Sequence, residues 1–159
     1  MSGNKGLIMV RNAVKKKLQD FETGRFRGVL NGPIYTAYKR AQDERFRTEN
    51  SSEGSHWKQV KRDTRIRKIK DRQRDSSRWP GGDRILIHTG DLSRSVIGTR
   101  REHHRKVVTE RAITIATTLA YAGFVAEKRP FMKFGSKTKG VFKSIIRRHV
   151  RDLMAGRKV

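Results

Sequence analysis

The sequence predicts an α+β domain in which a small antiparallel sheet is packed by an N-terminal helix pair and a C-terminal amphipathic helix, with a long basic extension. Three patterns predict it. Apolar residues recur at helical spacing near both ends of the chain, a stretch around 107–117 alternates with period two, and residues 58–78 are crowded with Lys and Arg. The 159 residues are the size of one domain, with residues 58–84 set apart as an exposed basic arm or loop.

Leu7, Val10, Val14, Leu18 and Phe21 lie three and four apart, so residues 5–22 read as an amphipathic helix with Lys15, Lys16 and Lys17 on its wet side. Thr23-Gly24 ends it, and residues 25–31 read as a connector. Gly32-Pro33 opens a second helix, with Pro33 near its first position and a buried stripe of Ile34, Ala37, Tyr38 and Ala41 reaching to about Phe46. The short connector implies an antiparallel helix pair. Residues 50–55 form a polar turn cluster, followed at once by Trp57. A Trp there serves either as a core anchor or as a stacking platform for a base.

Residues 58–78 hold ten basic side chains, among them Lys58, Lys61, Arg62, Arg65, Arg67, Lys68, Lys70, Arg72 and Arg74, opposed by Asp63, Asp71 and Asp75. As a helix, the segment would put Lys58, Lys61, Arg62, Arg65, Lys68 and Arg72 on one face but point Val60 and Ile66 to different sides. An extension or loop is therefore expected, ordered by a partner if at all. Trp79-Pro80-Gly81-Gly82-Asp83 ends it as a turn.

Ile85-Leu86-Ile87 then reads as a short buried strand, Thr89-Gly90-Asp91 as a sharp turn, and Leu92, Val96 and Ile97 as a short helix. Thr89 or Asp91 is the candidate acceptor for an unpaired N–H of its first turn. Residues 100–105 form a charged loop or hairpin tip. Val107-Val108 and residues 112–117 read as two antiparallel strands, and residues 119–127 as a short helix broken at Lys128-Arg129-Pro130, with Phe131 and Phe134 packing back. Val141, Phe142, Ile145, Ile146, His149, Val150, Leu153 and Met154 trace the clearest helical stripe in the chain, and Gly156 stops it.

Composition narrows the function. With 39 Lys and Arg against 15 Asp and Glu, the formal charge is +24. Such a chain repels itself and attracts polyanions: nucleic acid, acidic proteins or an anionic bilayer. The bilayer is disfavoured, since no basic amphipathic helix presents a continuous Trp/Phe/Leu face, and no apolar run approaches the roughly 18–20 residues of a membrane span. Residues 1–21 lack the continuous apolar core of a secretory signal. Mean hydropathy is −0.81 and there are no cysteines, which excludes disulfides and thiolate metal sites and fits a reducing compartment.

Catalytic patterns are weak. His103-His104 lacks a third ligand nearby in sequence, so no metal is expected. His88 beside Asp91 is the remaining acid–base candidate, without a supporting cluster. Gly135-Ser136-Lys137-Thr138 misses the glycine spacing of a phosphate loop. Asn50-Ser51-Ser52 is a glycosylation triplet with meaning only in a secretory pathway. The expectation is a non-enzyme without cofactor or small-molecule substrate. The candidate site is the basic segment, read either as a contact for nucleic acid or an acidic partner or as a solubilising or packing extension. It lacks interleaved aromatics, so a nucleic-acid contact would be to phosphate backbone and not to bases.

Three passages in order carry a resemblance. Arg45-Phe46-Arg47-Thr48-Glu49 followed by Ser52-Glu53-Gly54-Ser55-His56-Trp57 resembles the "RF…(D/N)P-x-G-x-x-W" passage of the phage virion morphogenesis, or tail-completion, family, with Ser52 in place of its proline. Residues 85–95 are similar to its "I-L-x-x-T-G-x-L-x-x-S", through Thr89, Gly90 and Leu92. Tyr121-Ala122-Gly123-Phe124-Val125 and then Arg129-Pro130-Phe131-Met132 are similar to its "Y-A-x-(I/V)-(H/V)-(Q/E)-x-G" and "(R)-P-F-(L/M)" passages, with Lys128 after Glu127 where a glycine is usual.

The resemblance implies a structural protein at the tail top or neck of a tailed phage, assembled in the host cytoplasm. It would form a ring, commonly sixfold, with other neck and tail proteins and the DNA backbone as further partners. Trp57, Thr89, Gly90, Leu92, Tyr121, Pro130 and Phe131 would be structural. The alternatives are a ribosomal or other RNA-binding protein, or a nucleoid-type DNA binder.

Overall fold

The computed structural model describes residues 26–52, 55–81 and 84–155. The helix expected over residues 5–22, the stop at Thr23-Gly24 and the stop at Gly156 lie outside the described residues. The rest is α+β, with an antiparallel β-hairpin packed against helices.

Residues 26–48 form one continuous helical stretch: α1 (Phe26–Val29), a π-helical turn (Leu30–Ile34) and α2 (Tyr35–Thr48). This corrects the connector expected over 25–31 and the placing of Pro33 at a helix start. Pro33 sits inside the stretch, where its ring conflicts with the carbonyl four residues earlier. The wider π turn accommodates it, and the Tyr35 N–H reaches Leu30 O, five residues back. Burial of Val29, Leu30 and Ile34 on one side outweighs the break signalled by Gly32-Pro33. Beyond Thr48, Glu49 turns into the left-handed region (φ 56°) and leads into a minimal hairpin, β1 (Asn50–Ser52) paired with β2 (Ser55–His56).

The basic segment is a helix and not a loop: α3 spans Arg62–Arg74. Lys, Arg and Gln are good helix formers. Asp63 in the first turn and Arg72 and Arg74 in the last suit the helix dipole. After it, Asp75 accepts from Ser77 N and Arg78 N (both 3.0 Å) and from Ser77 Oγ, making a tight turn. Val60 lies ahead of the helix, so its mismatch with Ile66 never opposed helix formation.

The strand expected at 85–87 is absent: Ile85 and Leu86 form a turn, with Leu86 at φ 59°. Ile85 is buried as a strand residue would be, yet its N–H goes to the Glu49 carboxylate (2.7 Å) and not to a neighbouring strand. The expected short helix follows as α4 (Asp91–Ile97), bracketed by Gly90 and Gly98, both at positive φ. A single 3-10 turn (Arg101–His103) leads to β3 (His104–Val108), which pairs antiparallel with β4 (Ile113–Thr117) from His104↔Thr117 to Val108↔Ile113. His104 and Arg105 thus belong to the sheet and not to a hairpin tip. Inward Ile113, Ile115 and Thr117 alternate with exposed Thr114 and Ala116, as the period-two pattern requires. Helices α5 (Ala122–Lys128) and α6 (Ser136–Met154) follow.

Tyr38, Phe46, Trp57, Ile85, Leu92, Val96, Ala122 and Phe131 make the main core. The stripe on α6 is only partly covered: Phe142 and Ile145 pack inward and His149 is buried, whereas Val141, Ile146 and Met154 stay exposed.

Candidate interaction site: the basic helix and the turn that holds it

Helix α3 and the turn that follows it lie against residues 84–92 through three contacts that sequence patterns do not advertise, two from the helix and one from Trp79. Lys68 is buried, and its Nζ donates to the Arg84 carbonyl. His88 Nε2 lies 3.1 Å from an Asp71 carboxylate oxygen. The His88 ring in turn stacks on Trp79, with centroids 4.3 Å apart and planes 28° from parallel. Arg78 covers Trp79 from 5.2 Å. Lys68 follows a common rule for buried lysines: the stem packs and the ammonium finds an acceptor.

Between α3 and the turn runs an open groove of about 440 Å³. Val60, Leu86, Leu92 and Val125 give it apolar walls, and Arg67, His88 and Tyr121 add polar groups.

The basic residues singled out by sequence therefore divide. Lys58, Lys61, Arg62, Arg65, Arg67, Lys70, Arg72 and Arg74 are exposed, whereas Lys68 faces the body and is unavailable to a partner's phosphate or carboxylate. The Lys58 carbonyl accepts from the Arg129 guanidinium at 3.0 and 3.2 Å, tying the approach to α3 to the end of α5.

Three of the motif residues meet in the core and the others lie around it. Trp57, Leu92 and Phe131 are buried; Phe46 meets the Trp57 ring at 5.5 Å and the Phe131 ring at 6.2 Å. Trp57 is thus the core anchor and not an exposed stacking platform. Pro130 is half-buried. Gly90 is buried at φ 78°, where a side chain would be strained, and Thr89 Oγ1 accepts the Asp91 N–H at 3.3 Å beside it. The helix cap is therefore Gly90, and Thr89 supplies the acceptor from one position earlier. Tyr121 departs from the set, being 46% exposed on the rim of the groove.

Asp91 does not pair with His88, as the acid–base reading of those two required. Its carboxylate accepts from Thr89 Oγ1 (2.7 Å), Arg94 (3.0 Å) and Arg100. Burial alone would push this carboxyl up, but these hydrogen bonds and the Arg100 charge hold it below the ordinary carboxylate value. His104 is likewise a structural residue: Nδ1 bonds the Ser95 carbonyl (2.7 Å) and Nε2 the Tyr35 hydroxyl (3.0 Å). A carbonyl only accepts, so Nδ1 carries a proton, and in the neutral ring the Tyr35 hydroxyl donates to Nε2. His103, in the preceding 3-10 turn, meets Thr118 Oγ1 through Nδ1 (3.2 Å). Among the described residues, no three His, Asp or Glu side chains cluster as metal ligands, and no helix is long and apolar enough to cross a membrane.

Sequence reasoning missed the burial of Gln42 and the structural contacts of Arg45, Glu49 and Lys68. Tyr38, Gln42 and Arg45 share one face of α2, so a polar residue at a core-facing spacing was the available signal for two of them. Comparison with protein-family models, with curated proteins and with solved structures finds no match to this chain.

Proposed function

We propose that this protein is a structural component of a tailed-phage virion, acting at the tail top or neck in head–tail joining as the subunit of a ring. The exposed side of α3 would contact acidic neighbours or the DNA backbone. One observation carries the reading: the three passages that resemble the tail-completion family pack against one another. Arg45 and Phe46 from the first meet Phe131 from the third, and Glu49 from the first bonds Ile85 from the second. Residues scattered across 45–131 thus meet in one core, which supports reading the three passages together. A chain of formal charge +24 is also most stable in company with anions, and a virion neck offers both DNA and acidic ring faces.

The test has two arms. The protein should be found in purified tailed particles, and reversing Arg62, Arg65 and Arg72 to Glu should block head–tail joining while the subunit still folds. Lys68 is left out because its charge is buried. Absence from particles, or wild-type infectivity of the triple variant, overturns the reading. Co-sedimentation with ribosomes in place of particles would favour an RNA-binding role.

A further inference from the structure

The face of α3 turned away from the body is not uniformly basic. At 100° per residue, Arg62, Ile66, Ile69 and Gln73 form one stripe opposite the side that carries Lys68, Thr64 and Asp71. Ile66 is 41% exposed and Ile69 37% exposed, at the centre of the stripe. Arg65 and Arg72 flank it on one edge; Lys70 and Arg74, with Asp63 between them, flank it on the other, so the rim stays net basic. An apolar centre with a charged rim is the anatomy of a protein interface. Phosphate contacts need cations alone, and two exposed β-branched side chains contribute nothing to counterion release.

We infer that this outer face of α3 docks an acidic amphipathic segment of another protein, whose apolar residues cover Ile66 and Ile69 while its carboxylates meet the flanking arginines and lysines. The inference rests on the reading above that α3 is a partner-contact helix, and it names the partner's chemistry. A second copy of this chain is a poor occupant, because two faces of the same strong positive charge would oppose each other. An anionic bilayer would want a broader apolar face than two isoleucines.

The test uses the full chain and two synthetic helical peptides of equal negative charge. One is Glu-rich with leucines at three- and four-residue spacing, and the other has serine for each leucine. The leucine peptide should bind about tenfold more tightly. An Ile66→Ser/Ile69→Ser variant should lose that advantage while its affinity for duplex DNA stays unchanged. Equal binding of the two peptides, or an unaltered preference in the variant, overturns the inference. So does a parallel loss of binding to duplex DNA or phosphatidylglycerol vesicles.

Should the serine variant fail to fold, a photoreactive leucine analogue in the peptide must crosslink to residues 62–74 of the wild-type chain, and labelling elsewhere overturns the inference. Failure of the head–tail reading is seen separately. The protein would then be missing from particles although the leucine peptide still prefers the isoleucine face.

Discussion

Arg45 donates from Nη1 to the main-chain carbonyl of Phe131 at 2.6 Å, across 86 positions of sequence and inside the core. Its guanidinium also lies 5.6 Å from the centre of the Phe134 ring. A buried arginine that ends on a carbonyl and a ring face fixes the loop after α5 onto α2, and so holds Phe131 against Phe46 and Trp57.

Removing it should be costly. Arg45→Ala leaves the Phe131 carbonyl without that donor and opens space beside Phe134, with an expected loss of about 3 kcal/mol. Arg45→Lys should recover only part of this, because an ammonium lacks the planar fork. Urea unfolding followed by Trp fluorescence reads both; equal stability of wild type and Arg45→Lys would contradict the assigned geometry.

Gln42 is fully buried, and neither side-chain amide atom has a hydrogen-bond partner among the described residues. An amide of that kind is less favourable than an apolar side chain of similar shape. Gln42→Met should therefore raise the unfolding free energy by about 1–3 kcal/mol. A drop in melting temperature would show that the amide is doing something the fold requires.

Gly81 sits where the neighbouring backbone leaves no room for a side chain. A Cβ built there falls 1.5 Å from the Ile87 carbonyl oxygen, and the Gly81 N–H faces the His88 carbonyl at 3.4 Å. Gly81→Ala must displace the turn that carries Ile85 and His88. A loss of at least about 1–3 kcal/mol is expected, together with faster amide exchange across 62–74 as α3 loses its seat. Gly28→Ala, where nothing lies within 4 Å, is the control.

Acid sensitivity should come in part from Asp91. Its folded carboxyl titrates below the ordinary value, so its contribution to stability is present near neutrality and above about pH 4. That contribution is lost as pH falls through the folded value. Asp91→Asn should be less stable than wild type near neutrality, and the gap should close as the pH falls below about 4. Thermal melts across that range decide it, and a gap that widens on acidification would contradict the sign.

The α+β class, α4, the hairpin β3–β4, α5 and α6 were legible because each is written in spacing that one period explains. The first helical stretch was not, since Gly32-Pro33 is a strong local stop that burial of Val29, Leu30 and Ile34 overrides. Helix α3 was hidden for the opposite reason: it has propensity, but its isoleucines face outward and its docking residue is a lysine. Ile85-Leu86-Ile87 has the composition of a strand, but a carboxylate from Glu49 takes the place of a ladder partner, and no local pattern announces that. Of the site itself, sequence identified the charge and missed the geometry.

The seating of Lys68 and Asp71 on the 84–92 turn makes α3 a lever and not a tether. A load applied to its outer side passes through Arg84 and His88 into the segment that holds Ile85 and Leu92 in the main core. Capture of that helix by a neighbour would therefore stiffen the whole subunit, and tightness of grip would be readable as heat resistance.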